Sequence, residues 1–243
     1  MRSRLDVELA RRGLAASRQL AQRLIMAGRV RVNSRPAAKP DLQVDADSAI
    51  EVLGDGSDYA SRGAYKLLAA LDRFPVPVAG RLALDVGASN GGFTDVLLRR
   101  GARQVLALDV GYGQLAMRLR ADPRVIVRDR CNIRAMTAAD LPWRPDLITI
   151  DVSFISLTVV LPCVRALSAM PSDVIALIKP QFEVGKGRVG KGGVVRDCAL
   201  QREAVETVME SAQKLGYKGG GVLAAPIKGA SGNQEYLTWL HLD

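Results

Sequence analysis

The stretch RLALDVGASNGGF, residues 81–93, constrains this chain most. An apolar run over residues 82–86 stops at a turn carrying Gly87, Gly91 and Gly92, and an apolar-periodic segment with Val96, Leu97 and Leu98 follows. A strand, a glycine turn and a helix in that order open a nucleotide-cofactor fold. The glycines there allow a tight turn, close approach of backbone to a ligand and close helix–strand packing. A nicotinamide dinucleotide favours glycine at the middle position, where backbone meets the pyrophosphate. Here the loop reads Gly87-Ala88-Ser89-Asn90-Gly91-Gly92, with Ser89 in that place. S-adenosylmethionine uses the same topology and has no pyrophosphate. A second apolar run, residues 105–108, ends in Asp109, where a carboxylate can accept ribose hydroxyls. A third, residues 125–127, ends at Asp129, placed to meet an adenine amino group. The expected cofactor residues are therefore Asp85, Gly87, Ala88, Ser89, Gly91, Gly92, Phe93, Asp109 and Asp129. A generic α/β sheet with acidic strand ends is the plain alternative.

The 243 residues suffice for one large or two small domains. A formal net charge of +9 implies an anionic partner, nucleic acid or a membrane surface, unless it is simply a solvated basic surface. Cys131, Cys163 and Cys198 are widely spaced and odd in number, and His241 is the only histidine, so no zinc site is expected and a reducing compartment fits. No signal-type segment or membrane-length apolar run is visible, which leads us to expect a cytoplasmic protein without membrane insertion.

Residues 1–58 read as a separate basic unit. Leu5, Leu9 and Leu14 suggest a first helix, Ser17 an N-cap for a second, and Val30-Arg31-Val32 a strand before a turn at Asn33-Ser34. A last strand is expected over residues 50–53. Ten cations face only Asp6 and Glu8 before residue 41, and no aromatic precedes Tyr59, so contacts to phosphates and RNA shape are expected rather than base stacking. A polar linker, residues 54–58, leads to the second unit, residues 59–243. There Lys66 starts an apolar-periodic helix. A fourth strand, residues 147–150, ends in Asp151, and a fifth, residues 174–178, ends in Lys179. The glycine- and cation-rich loop 183–193 reads either as a mobile loop closing over RNA phosphates or as a disordered surface loop. An amphipathic helix over 199–215 and closing strands over 217–225 and 235–240 complete the expected order.

Lys66, Asp151, Lys179 and Glu235 all fall at plausible positions above the sheet. A ribose 2′-hydroxyl is a poor nucleophile until deprotonated, and a free amine with pKa near roughly 10.4 is protonated at neutral pH. A neighbouring cation and desolvation both make an amine a better base, while acids orient it. A sulfonium donor needs no metal, since its leaving group departs neutral.

The N-terminal residues Arg4-Leu5-Asp6, Gly13-Leu14, Ser17-Arg18, Ala21, Gly28, Val30, Val32-Asn33 and Lys39-Pro40 resemble the S-four-type RNA-binding fold. The four lysines and acids resemble the Lys-Asp-Lys-Glu tetrad of the FtsJ-like ribose 2′-O-methyltransferases. The chain as a whole is similar to the TlyA family, also labelled haemolysin, which joins those two domains. The matching motifs are Ser61-Arg62-Gly63 with Lys66-Leu67, Asp85 to Ser89, Gly91 to Thr94, Asp109 to Leu115, Asp151 to Leu157, Lys179 to Glu183, Gly190 to Asp197, and Gly232-Asn233 leading to Glu235. The resemblance implies a Rossmann-like S-adenosylmethionine-dependent methyltransferase domain behind a small α+β RNA-binding domain. It implies action on cytidine 2′-hydroxyls of ribosomal RNA within ribosomal subunits, in both subunits or the large one alone; a monomer is expected. Lys179 would be the general base beside Lys66, Asp151 would orient Lys179, and Glu235 would steady Lys66 or the ribose. RNA contacts are expected from Arg4, Arg18, Arg23, Lys39, Arg62, Lys186, Arg188 and Lys191. Departures from the family pattern are Asn90 in the cofactor loop, Tyr65 where histidine is common, and Asp58-Tyr59-Ala60 in place of a tryptophan-containing tetrapeptide. An RNA-binding assembly factor with an inert methyltransferase domain, and a membrane-active haemolysin, are the competing readings. Filled tetrad positions argue against the first; the lack of a basic amphipathic helix argues against the second.

Overall fold

Two acids, rather than the arginines around them, organise the N-terminal unit. The computed structural model describes residues 2–15, 17–26, 28–52 and 59–243, without the side chains of Arg23 and Lys186. The expected linker 54–58 lies outside the described residues. Strand β1 (Arg2–Arg4) runs into helix α1 (Leu5–Arg11), whose Leu5 and Leu9, four apart, enter the core. Leu14 falls beyond the helix and is largely exposed. The same helix buries Asp6 and Glu8. Asp6 accepts from Arg4, Arg18 and Gln22, and Glu8 from Arg11, Arg12 and Ser3. The hydrogen bond from Arg4 holds the Asp6 carboxyl well below the usual carboxylate range, and that from Arg11 does the same for Glu8. Four of the ten cations thus hold the fold together.

Helix α2 (Arg18–Met26) starts where expected: the Ser17 hydroxyl accepts the Leu20 N–H at 3.2 Å. Strands β2 (Val30–Val32) and β3 (Arg35–Ala37) form a hairpin. Asn33 and Ser34 both take positive φ, 50° and 65°, as a two-residue hairpin turn demands. Strand β4 (Gln43–Asp45) pairs with β1, and β5 (Ile50–Val52) with the other side of β2. Three of these strands, β1 (RSR), β3 (RPA) and β4 (QVD), lack the apolar alternation that VRV gives β2 and were not visible in the sequence.

The second unit begins with α3 (Ala64–Arg73). Strand β6 (Leu82–Val86) and α4 (Gly92–Arg99) flank the glycine turn. There follow β7 (Gln104–Leu108), the short α5 (Met117–Arg120), β8 (Val125–Arg128), β9 (Leu147–Ile150), α6 (Leu157–Leu167) and β10 (Ser172–Ile178). One turn of helix, α7 (Pro180–Glu183), precedes α8 (Cys198–Lys214), β11 (Lys218–Ala224) and β12 (Tyr236–Leu242). The seven strands lie in the order β11-β12-β10-β9-β6-β7-β8. The five from β10 to β8 are parallel, and β12 runs antiparallel to both neighbours. Strands covered on both faces must be apolar throughout, and β10 is buried along its whole length. Residues of α3 and α4 fill one face of the sheet, and residues of α6 and α8 the other. From β6 the chain moves outward to β7 and β8, then returns to the other side of β6 as β9. That reversal opens a crevice at the carboxyl ends of β6 and β9, where open α/β sheets bind ligands.

Candidate active site

The glycine turn after β6 is shaped by what crosses it. Gly87 has φ 87°, and a Cβ there would run into the Asp151 backbone carbonyl. The N–H groups of Gly87 and Ala88 both donate to the Leu108 carbonyl, at 2.9 and 3.0 Å. Gly91, at φ 94°, opens α4 and packs against Leu115 and Leu119. Ser89, with φ 47°, sends its N–H to one oxygen of Asp109, while Gly111 N–H takes the other, each at 2.7 Å. Two backbone donors thereby fix the Asp109 carboxylate and leave lone pairs for further donors.

A cleft of roughly 550 Å³ opens beside this turn, with Gly87, Ser89, Asp109, Asn132, Asp151 and Phe154 among its walls. A smaller one of about 110 Å³ adjoins it, lined by Ala88, Gly92, Phe93, Ser61, Gly63 and again Asp151. Two expected cofactor acids lie elsewhere. Asp85 is fully buried beneath the turn, accepting from Thr94 at 2.6 Å and Thr149 at 2.9 Å. Burial pushes its carboxyl up to about 6 despite those bonds, and the nearby Asp151 charge adds to the rise. Asp129 accepts from Arg120 at 2.7 Å and from Gly113 N–H at 3.2 Å, and it does not line the cleft. The strand ends were read correctly, but only one of the three acids faces the crevice. Cys131 and Asn132, just beyond Asp129, supply that wall instead.

The four tetrad residues form two ion pairs. Lys66 from α3 donates to Glu235 at 2.6 Å, and the two are 8% and 3% exposed. Lys179, at the end of β10 and 9% exposed, meets Asp151 at 2.6 Å and donates to Ser153 at 3.0 Å. Pairing of Ala176 with Ile150 and of Ile178 with Tyr236 brings the ends of β9 and β10 and the start of β12 to one edge. Asp151, Lys179 and Glu235 therefore sit at one end of three neighbouring strands. Two buried cations and two acids leave the site formally neutral.

Sequence reasoning passed over several neighbours. Phe154 is 90% exposed at the mouth of the cleft, has φ 66°, and its ring centroid lies 5.2 Å from that of Phe182. Glu183 accepts from Ser156 at 2.6 Å and from Leu157 N–H at 3.0 Å, tying α7 to the start of α6; burial raises its carboxyl. The signal for these was their adjacency to Asp151 and Lys179.

The expected RNA-facing cations divide. Arg4 and Arg18 lean on Asp6 yet keep 40% and 55% of their side chains exposed. Lys39, Arg62 and Lys191 are exposed. The side chains of Arg23 and Lys186 lie outside the described residues. Arg188 is engaged by Glu203. The loop that carries it is exposed and includes two short 3-10 turns, Lys186–Arg188 and Lys191–Gly193, the second kinked at Gly192.

A mixed seven-stranded sheet with a glycine turn, a cleft at the carboxyl ends of its parallel strands and two lysine–acid pairs nearby defines a methyltransferase of the S-adenosylmethionine-dependent class. The FtsJ-like methyltransferase family matches residues 59–242, and the S4 domain family matches residues 3–50. The 16S/23S rRNA (cytidine-2'-O)-methyltransferase TlyA of Mycobacterium tuberculosis is 52% identical over 240 residues, which are 98% of this chain and 90% of that protein. A solved structure from Streptococcus thermophilus that carries a haemolysin name is 38% identical, with a TM-score of 0.76 over 99% of this chain and 88% of that one. A S-adenosylmethionine dependent methyltransferase from Mesorhizobium loti shares the fold at 15% identity, with a TM-score of 0.53 over 74% of this chain and 98% of that one. The chain belongs to the TlyA family of FtsJ-like methyltransferases.

Among the described residues, no helix is long and apolar enough to cross a membrane, and no cluster of His, Cys, Asp or Glu could hold a metal ion. The cleft suits the class cofactor. Its walls carry the carboxylates Asp109 and Asp151, which suit a cationic sulfonium and would repel a pyrophosphate. The would-be Cβ of Gly87 shows how closely backbone must pass there.

Proposed function

We propose that this protein transfers a methyl group from S-adenosylmethionine to the 2′-hydroxyl of cytidine in ribosomal RNA. The observation that carries this reading is the pair of buried lysines, each held by an acid, at one end of the sheet beside the cleft. Gly87, Ser89 and Asp109 would hold the cofactor, with Asp109 receiving ribose hydroxyls and Asn132 replacing Asp129 at the far wall. When bound, S-adenosylmethionine supplies a methyl on a sulfonium whose leaving thioether is neutral. Lys179, oriented by Asp151 and Ser153, takes the proton from the 2′-hydroxyl as general base. Lys66, held by Glu235, places a second cation at the same end of the sheet. Proximity and in-line orientation supply the rest of the rate. Residues 1–58 form the RNA-docking domain and residues 59–243 the methyltransferase. Docking uses Arg4, Arg18 and Lys39 on one unit, and Arg62 and Lys191 on the other. The substrate is RNA within a ribosomal subunit, in both subunits or the large one alone, and the protein acts in the cytoplasm as a monomer.

The test is transfer of labelled methyl to purified small and large subunits, assayed separately beside Lys179→Ala. Label that resists alkaline cleavage at the modified ribose is expected, with a loss of at least about a hundredfold in the variant and unchanged cofactor binding. Tight cofactor binding with no label in either subunit would overturn the reading in favour of an assembly factor.

A further inference from the structure

The glycine- and cation-rich loop is pinned at its far end by one buried side chain. Asn233, 1% exposed, donates through Nδ2 to the Gly193 carbonyl at 2.8 Å and accepts the Val195 N–H on Oδ1 at 2.9 Å. Its own carbonyl accepts the Gly229 N–H at 2.9 Å, and Gly229 lies so close to Glu235 that a Cβ there would strike the carboxylate. A second bridge runs in parallel. The Tyr236 hydroxyl donates to Gln201 Oε1 at 2.7 Å, and Gln201 Nε2 donates to the Val195 carbonyl at 2.8 Å.

These two bridges bracket Glu235, which itself holds Lys66 at 2.6 Å. None of Asn233, Gln201 or Tyr236 lines either cleft. Three buried or half-buried polar groups are therefore satisfied by one another and by the backbone of 193–195, where the loop ends, and not by a ligand. The end of the loop is thus hydrogen-bonded to residues on either side of Glu235 in the chain, so displacement of one strains or moves the other.

We propose that Asn233 is a positioning residue that ties the cation-rich loop 185–193 to Glu235, so that RNA phosphates seated on the loop set Glu235 and Lys66 for reaction. This rests on the rRNA methyltransferase reading, because it takes the loop as an RNA contact. The Tyr236–Gln201 bridge acts in the same sense. The arrangement makes methyl transfer sensitive to whether RNA is on the loop, while cofactor binding, on the other side of Asp151, is untouched.

The test compares Asn233→Ala, Tyr236→Phe, Glu235→Gln and the double variant Asn233→Ala/Glu235→Gln in the full-length protein. Methyl transfer to the ribosomal subunit that the unmodified protein labels gives kcat and KM, and calorimetry gives S-adenosylmethionine affinity. Asn233→Ala is expected to lower kcat by about 10- to 100-fold, the loss that a misplacement of about 1 Å brings, with cofactor affinity unchanged. On the Glu235→Gln background it should cost almost nothing more, because both changes remove the same arrangement. Tyr236→Phe, which keeps the ring and its packing, should show the same pattern more weakly and decides the matter if Asn233→Ala does not fold. Unchanged kcat in a folded variant, or losses that multiply in the double variant, would overturn the proposal. If the unmodified protein labels neither subunit, the rRNA reading falls by itself. Hydrogen exchange then judges the linkage: Asn233→Ala should speed exchange in both 185–195 and 226–235, and acceleration in only one of them overturns it.

Discussion

Asp85 carries the clearest lesson at the scale of single residues. Its place in the sequence, at a strand end before a glycine turn, made it a candidate cofactor ligand. The structure turns it inward, onto Thr94 and Thr149. Strand-end position is legible in sequence; which way the last side chains point depends on the register of β6 against β9, which is not. The consequence is measurable. The native carboxyl titrates at about 6, above the ordinary value of 3.8, so the folded state binds its proton more tightly than the unfolded chain. Between those values the native state holds more protons, and stability from this group falls as pH rises through the window. Above pH 6 the charged, buried form costs on the order of 3 kcal/mol. Asp85→Asn removes the titration while keeping a side chain of the same shape. Urea unfolding at pH 4 and pH 7 should show the variant gaining on the unmodified protein by about 2–3 kcal/mol at the higher pH. Parallel pH dependence in the two proteins would show that Asp85 does not titrate in this range. The four positions Lys66, Asp151, Lys179 and Glu235, by contrast, could be singled out in sequence because each lies at or near the end of an element; the pairing of Lys66 with Glu235 and of Lys179 with Asp151 had to come from three dimensions.

Elements follow the same division. The parallel strands and α8 were visible because long apolar or amphipathic runs fix their type. Strands β1, β3 and β4 of the N-terminal unit were not, and neither was the anchoring of the loop's end at Gly193 to Asn233, forty residues away in sequence. Where β6 meets α4, the turn needs Gly87 because the end of β9 passes against it. In Gly87→Ala the added Cβ meets the Asp151 carbonyl, a backbone atom that cannot swing aside, at a φ that L residues avoid. We expect loss of S-adenosylmethionine binding by calorimetry together with loss of methyl transfer, in contrast to Lys179→Ala, where only transfer is lost. Wild-type cofactor affinity in Gly87→Ala would mean the turn is not the cofactor cradle. Helix α1 makes the opposite kind of prediction. Asp6 joins β1, α1 and α2 through Arg4, Arg18 and Gln22, and those donors hold it charged. A carboxyl held low stabilises above its unfolded pKa and loses that contribution as pH falls below about 4, the reverse of Asp85. Asp6→Ala leaves Arg4 and Arg18 without their anion. It should unfold the N-terminal unit, seen as rapid hydrogen exchange over residues 2–52, while β6 to β10 stay protected. Protection equal to that of the unmodified protein in both units would assign Asp6 no structural weight.

At the scale of the whole molecule, the two units have separate cores: the cluster around Leu5, Leu9 and Ile25 shares no residue with those of the sheet. Cofactor cleft and tetrad both lie within residues 59–243, so removing residues 1–58 should leave S-adenosylmethionine affinity intact. RNA binding is another matter. Arg31, Arg35 and Lys39 are exposed on the hairpin and the chain after it, and Arg4 and Arg18 remain half in solvent while Asp6 holds their orientation. Arginines braced in this way lose little freedom on meeting a phosphate, which suits recognition by shape. Each phosphate neutralised releases counterions and contributes about −0.7 to −0.9 to the slope of log affinity against log salt. Loss of three to five such contacts should flatten that slope by about 2–4 and raise the KM for subunits at least about tenfold. The kcat at saturating RNA should change far less, because the loop 185–193 and its link to Glu235 remain. A truncated chain with the same KM and the same salt slope would place docking wholly on the methyltransferase unit. A truncated chain with lost kcat but unchanged salt slope would instead assign the N-terminal unit to the reaction centre rather than to docking.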